Sequence, residues 1–177
     1  MALNISGRTA ASLALIGTLA VLAVTLGPSL PRIAAYLSQH DIRFKGFDVE
    51  LWGTVSPVIQ AHVMAAVAAF GLGLILFLNR KGSRFHKLMG WTWVGLMATT
   101  AGSSLFIIGL NGDHYSLIHG LTAFTLLMLP IGVMAARRHD VVRHRRTMTG
   151  LFLGALIVAG AFTFLPGRLM WSLFFGT

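Results

Sequence analysis

The stretch Val58–Leu78, VIQAHVMAAVAAFGLGLILFL, decides the fold. It holds no charged side chain, and as a helix its 21 residues would rise about 30 Å, the thickness of a bilayer's hydrocarbon core. Ser56-Pro57 stands just before it, a capping side chain followed by the residue most at home in a first helical turn. Working outward, four more apolar runs of similar length appear: Thr9–Leu26, Leu88–Leu110, Tyr115–Ala136 and Thr147–Leu165. The pattern predicts an all-α integral membrane protein, a five-helix transmembrane bundle forming one domain over residues 1–177.

Composition agrees. Of 177 residues, 55% are hydrophobic and 11% charged, and the mean hydropathy is +0.76, too apolar for a soluble domain to cover its surface. The formal charge of +9 would suggest nucleic acid in a soluble protein, but placement gives it another meaning. Arg80, Lys81, Arg84 and Lys87 fill one short gap between runs, and Arg137, Arg138, Arg143, Arg145 and Arg146 fill another. That is the positive-inside pattern, so the expected partner is the lipid bilayer and not nucleic acid. It implies a multi-pass protein of the inner (plasma) membrane with a cytoplasmic N-terminus. Segments 27–57 and 111–114 and the tail 166–177 then lie outside.

Arg8 before the first run resembles a signal-peptide n-region, but no small-x-small cleavage site follows, so the run is read as an uncleaved spanning helix. Segment 27–57 carries Pro28, Pro31, Gly46, Gly53 and Pro57 and is read as a long loop. Within it Leu30–Leu37 suits a short interfacial helix, with Tyr36, Phe47 and Trp52 as headgroup-level anchors.

The second and third runs match the fourth and fifth as a repeated pair. Ala61-His62, a basic gap, His86 and Ala101-Gly102 correspond to Ile118-His119, a basic gap, His144 and Ala159-Gly160. First to second histidine is 24 residues in one unit and 25 in the other; second histidine to glycine is 16 in both. A repeat puts equivalent residues at equivalent depths. His62 and His119 each lie four or five residues inside the outer boundary, and His86 and His144 both stand where a run begins at the inner face. The two levels are on the order of 20 Å apart.

A ring nitrogen in hydrocarbon is costly without a partner, which makes intramembrane histidines functional candidates. Four at two matched depths have one joint explanation: bis-histidine ligation of two b-type haems, His62 with His119 and His86 with His144. The strip His62, Ala66, Ala69 and Gly73 would let a flat macrocycle approach the backbone, Gly90 follows His86 by one turn, and nearby Arg and Lys suit propionates. Each residue also has a plainer reading. Membrane histidines often hydrogen-bond a neighbouring helix, small residues serve helix packing, and His86 and His144 suit lipid phosphates. His139 competes with His144 as inner ligand, but the repeat favours His144. His40 and His114, each beside an aspartate, suit either a solvated loop or a proton or metal path at the outer site.

Other chemistries are thinly supported. With no cysteine there is no disulfide, thiolate site or covalent haem attachment, and G-x-x-x-x-G-K, G-x-S-x-G and H-E-x-x-H are all missing. The acids Asp41, Asp48, Glu50, Asp113 and Asp140 fall outside the runs, which argues against a carboxylate-driven transporter.

The segments Ser56-Pro57 through Ala61-His62, Phe85-His86-Lys87-Leu88-Met89-Gly90 and His144-Arg145-Arg146-Thr147-Met148 resemble the domain of unknown function 2306 family of bacterial membrane proteins. The four-histidine plan is similar to the di-haem cytochrome b-561 family. That resemblance implies helices sharing haems in the order second with fourth and third with fifth, with His62, His119, His86 and His144 as ligands. The resulting expectation is a transmembrane di-haem electron carrier, an oxidoreductase served by quinol, a small reductant or a redox protein, alone or within a larger membrane complex. Its rivals are a haem-free accessory or scaffold subunit, and a metal or small-solute transporter using His40, His62, His114 and His119.

Overall fold

The computed structural model describes residue 27, residues 30–107 and residues 117–176, with the side chains of 117–119 outside the description. The first apolar run, Thr9–Leu26, and His114 also lie outside the described residues. The rest is mostly helical. In chain order it forms α1 (Leu30–Gln39), β1 (Arg43–Phe44), α2 (Val49–Thr54), α3 (Pro57–Leu78), α4 (Arg84–Ser104), α5 (Leu117–Arg137) and α6 (Val141–Gly150). A π-helical segment (Leu151–Val158) carries α6 into α7 (Ala159–Thr163), and α8 (Leu169–Phe174) and β2 (Phe175–Gly176) follow.

Two compact units divide the chain: residues up to Phe47 with those from Thr163 onward, and Asp48–Phe162. The smaller unit corrects the reading of segment 27–57 as a loop and of 166–177 as a plain tail. β1 pairs antiparallel with β2, Arg43 opposite Gly176 and Phe44 opposite Phe175, and Lys45 N donates to Phe174 O at 3.0 Å. Aromatic rings then close over the pairing: Phe44 meets Phe175 at 5.8 Å, Phe47 meets Phe174 at 5.6 Å and Trp171 stacks on Phe175 at 4.6 Å. Two-residue strands are too short to show a period, so the sequence carries no signal for them.

The larger unit is built from α3, α4, α5 and the α6–π–α7 rod, each packed on the next, with α3 also touching the π segment. Local chemistry explains the boundaries. Ser56 Oγ accepts from Ile59 N at 3.4 Å with Pro57 in the first turn, as the sequence predicts. At the other end Lys81 bends back so that Nζ donates to Phe77 O, and to Leu76 O and Asn79 O at 3.1 Å each, supplying partners to carbonyls the helix leaves unbonded. Gly82, at φ +79°, makes the turn, and Ser83 Oγ caps α4 by accepting from His86 N at 3.1 Å. The last rod begins at Val141 and not Thr147, because Asp140 Oδ1 accepts from Arg143 N at 3.0 Å and starts the helix six residues early. The basic cluster therefore lies on a helix surface.

Among the described residues three helices are long and apolar enough to cross a membrane: Pro57–Leu78, Gly120–Arg137 and Val141–Thr163. Only 17% of the most apolar window of α3 is buried, and Phe70, Leu74, Phe77 and Leu78 stand exposed. An apolar surface on that scale needs an apolar solvent. α4 has similar length but more polar positions, including Thr99, Thr100, Ser103 and Ser104, and does not meet the same measure.

The core lies where the four rods meet: Ala69, Trp93, Met97, Leu129, Leu151, Phe152 and Leu156. Trp93 Nε1 donates to Ala69 O at 3.0 Å, and the Phe152 ring lies over Gly73, flanked by Phe70 and Phe77. The strip Ala66, Ala69 and Gly73, read as a bed for a flat macrocycle, is thus occupied by an indole and a phenyl ring. Protein side chains satisfy the space and the bond. Trp93→Phe should lower stability by about 2 kcal/mol, from one lost hydrogen bond plus a small cavity, seen as an earlier thermal midpoint in detergent.

Candidate functional site

The two histidine levels are built differently. At the level where α4 and α6 begin, His86 and His144 come together from 58 residues apart in sequence, with ring centroids 6.5 Å apart and planes at 88°. Ser83 and Asp140, the two N-caps, position the first turns that carry them. His144 Nδ1 lies 2.9 Å from Gly132 O on α5. A carbonyl only accepts, so in the neutral ring Nδ1 carries the proton and Nε2 has the lone pair. Gly132 makes this approach possible, since a Cβ there would stand 2.4 Å from Met148 Cε and 3.1 Å from Thr147 Cγ2.

His86 is the complement. Among the described residues its Nδ1 is the one buried side-chain polar atom with no hydrogen-bond partner. Two imidazoles bonded at about 2 Å to opposite sides of one metal would have ring centres roughly 6 Å apart, close to what this pair shows. His144 has the backbone-carbonyl partner that metal-bound histidines use for the nitrogen away from the metal, and His86 contributes a ring with an unsatisfied nitrogen. Beside them Gly90 has open space where a Cβ would stand. The inner pair therefore fits a bis-histidine group. Among the described residues no three His, Asp or Glu side chains cluster as a metal cage.

His139 has another task. It sits exposed at φ 59° just past the end of α5, where its N–H reaches Ala136 O at 3.1 Å and Asp140 N reaches Ala135 O at 2.9 Å, the pair of bonds that closes a helix C-terminus. His144, and not His139, is the histidine brought to His86. His40 belongs to the smaller unit, where it stacks on Tyr36 at 4.1 Å and its Nδ1 meets Tyr36 O at 2.9 Å.

At the opposite end of the larger unit, His62 Nδ1 lies 2.9 Å from Thr100 O and 3.1 Å from Ser103 Oγ, both on α4. Again the carbonyl fixes the proton on Nδ1 and leaves Nε2 with its lone pair. His119 falls in the first turn of α5, and its side chain lies outside the described residues. Its helix is tied to the same turn of α4: Ser104, next to Ser103, shares a 2.6 Å hydroxyl bond with Thr122, one turn beyond His119. Sequence reasoning missed this polar layer, although four hydroxyls in one apolar run, at 99, 100, 103 and 104, were its signal. Ser104→Ala should cost about 1 kcal/mol of stability, measured by thermal unfolding in detergent.

Of the basic residues in the two gaps, Arg137 lies over the Trp91 ring at 5.8 Å, and Lys81 is committed to the end of α3. Comparison with protein-family models, with curated proteins and with solved structures returns no match for this chain.

Proposed function

We propose that this chain is a transmembrane b-type di-haem electron carrier, with His86 and His144 as ligands of the inner haem and His62 and His119 of the outer. The observation that carries the reading is the inner pair: two imidazoles 6.5 Å apart, one with an orphaned buried nitrogen. In this reading α4 crosses the bilayer with the helices it packs against, and Thr9–Leu26 supplies a fifth crossing. The basic ends of α3 to α6 face the cytoplasm by the positive-inside rule. Haem would supply one-electron chemistry; the protein's part is to present neutral imidazoles, exclude water and place arginines within reach of acidic groups. Electrons would enter from quinol, a small reductant or a redox protein.

A second reading is favoured by one specific observation. His62 is bonded to Thr100 and Ser103, and Trp93 and Phe152 fill the strip beneath it, which is how a haem-free accessory or scaffold helix would be held. Haem content of the purified full chain, expressed with ample haem, separates the two. Two haems per chain are expected; one would restrict the carrier to the inner pair, and none would leave the haem-free subunit.

A further inference from the structure

We propose that the groove between the last turns of α5 and the first turns of α6 binds an anionic phospholipid, its phosphate held by Arg143 and Arg146. The groove has two lobes, of about 470 and 220 Å³, which share Ile131, Asp140 and Arg143 in their walls. Met128 and Arg146 line the larger lobe, and Arg138 lines the smaller. One wall is therefore apolar and the other cationic, which is the division between an acyl chain and a phosphodiester.

The arginines are available for such a ligand. Among the described residues none of the three guanidinium groups makes an ion pair. Arg143 and Arg146 are three residues apart, so they share one side of α6 and can grip one phosphate with forked N–H pairs. Asp140 opposes an anion, but one of its oxygens is already engaged by Arg143 N at 3.0 Å, and three arginines line the groove with it. The depth also suits a lipid. The groove lies where a helix apolar enough to span a membrane gives way to basic residues, the level of headgroup phosphates. A soluble phosphate would leave Met128 and Ile131 facing nothing, whereas a lipid covers both walls. His144 does not line the groove, and the proposal stands whether or not haem binds.

The test is native mass spectrometry of the full chain in neutral detergent, offered phosphatidylglycerol or phosphatidylcholine of identical acyl chains. Phosphatidylglycerol should survive activation that strips phosphatidylcholine, and millimolar inorganic phosphate should not displace it. The double variant Arg143→Gln/Arg146→Gln should lose that preference by about tenfold or more, as two charge-assisted contacts imply. Arg84→Gln/Lys87→Gln, which removes the same charge elsewhere, should keep it. Equal retention of the two lipids by the unaltered chain would overturn the proposal without recourse to any variant. So would displacement by inorganic phosphate, or equal losses in the two double variants at matched helicity.

Discussion

His144→Ala should remove one of two haems and leave the other, halving the reduced α-band without unfolding the protein. The ring does two things: Nδ1 ties α6 to Gly132 O, and the ring stands 6.5 Å from that of His86 with its Nε2 outside that bond. Truncation to Ala loses both, and the structural part is about 1 kcal/mol for a single side-chain to backbone bond. The donor part is larger, because one remaining imidazole leaves the iron five-coordinate, without the bond from the second helix that retains the haem and without the sharp six-coordinate α-band. His86→Ala should give the same spectrum at smaller structural cost, since its Nδ1 makes no bond to lose. His62→Ala should instead remove the other haem. The discriminating control is His139→Ala, which changes an exposed residue of the α5–α6 turn and should leave both haems in place. Equal losses from His139→Ala and His144→Ala would mean that the inner ligand is misassigned.

Gly73→Ala should destabilise the protein although it raises helix propensity. A methyl at this position would stand 2.4 and 2.5 Å from two carbons of the Phe152 ring and 3.1 Å from Trp93 Nε1. Neither neighbour has room to give, for Phe152 is wedged between Phe70 and Phe77 and Trp93 is held by Ala69 O. Overpacking of this kind costs about 1–3 kcal/mol and outweighs the roughly 1 kcal/mol that Ala gains over Gly in a helix. Gly71→Ala, two residues away with open space around it, should be neutral or stabilising. Thermal unfolding of the pair in one detergent checks this, and a Gly73→Ala midpoint at or above that of Gly71→Ala would contradict the packing described here.

Much of the helical layout was legible because the physics is one-dimensional: a run of some 20 apolar residues, a cap before it and basic residues after it can be read along the chain. Pro57–Leu78 differs from the expected Val58–Leu78 by one residue. The start of the last rod was not legible, since Asp140 acts as a cap only once its carboxylate meets Arg143 N, and the charge run beyond it hid a helix. The two-stranded pairing of Phe44 with Phe175 spans most of the chain's length and leaves no local trace. For the site, spacing alone matched His86 with His144, and the structure brings these two rings to 6.5 Å while His139 stands exposed past the end of α5. The strip along α3 was misread because a row of small residues shows only that something comes close. Phe152, 79 residues on from Gly73, is what comes close.

The central claim is that paired histidines of this chain hold haem iron. The most direct measurement is the absorption spectrum of the purified full chain, oxidised and then reduced with dithionite. A Soret band that shifts on reduction and a sharp α-band of six-coordinate bis-histidine haem are expected. A protein made with ample haem, folded and helical, that shows neither band would contradict it.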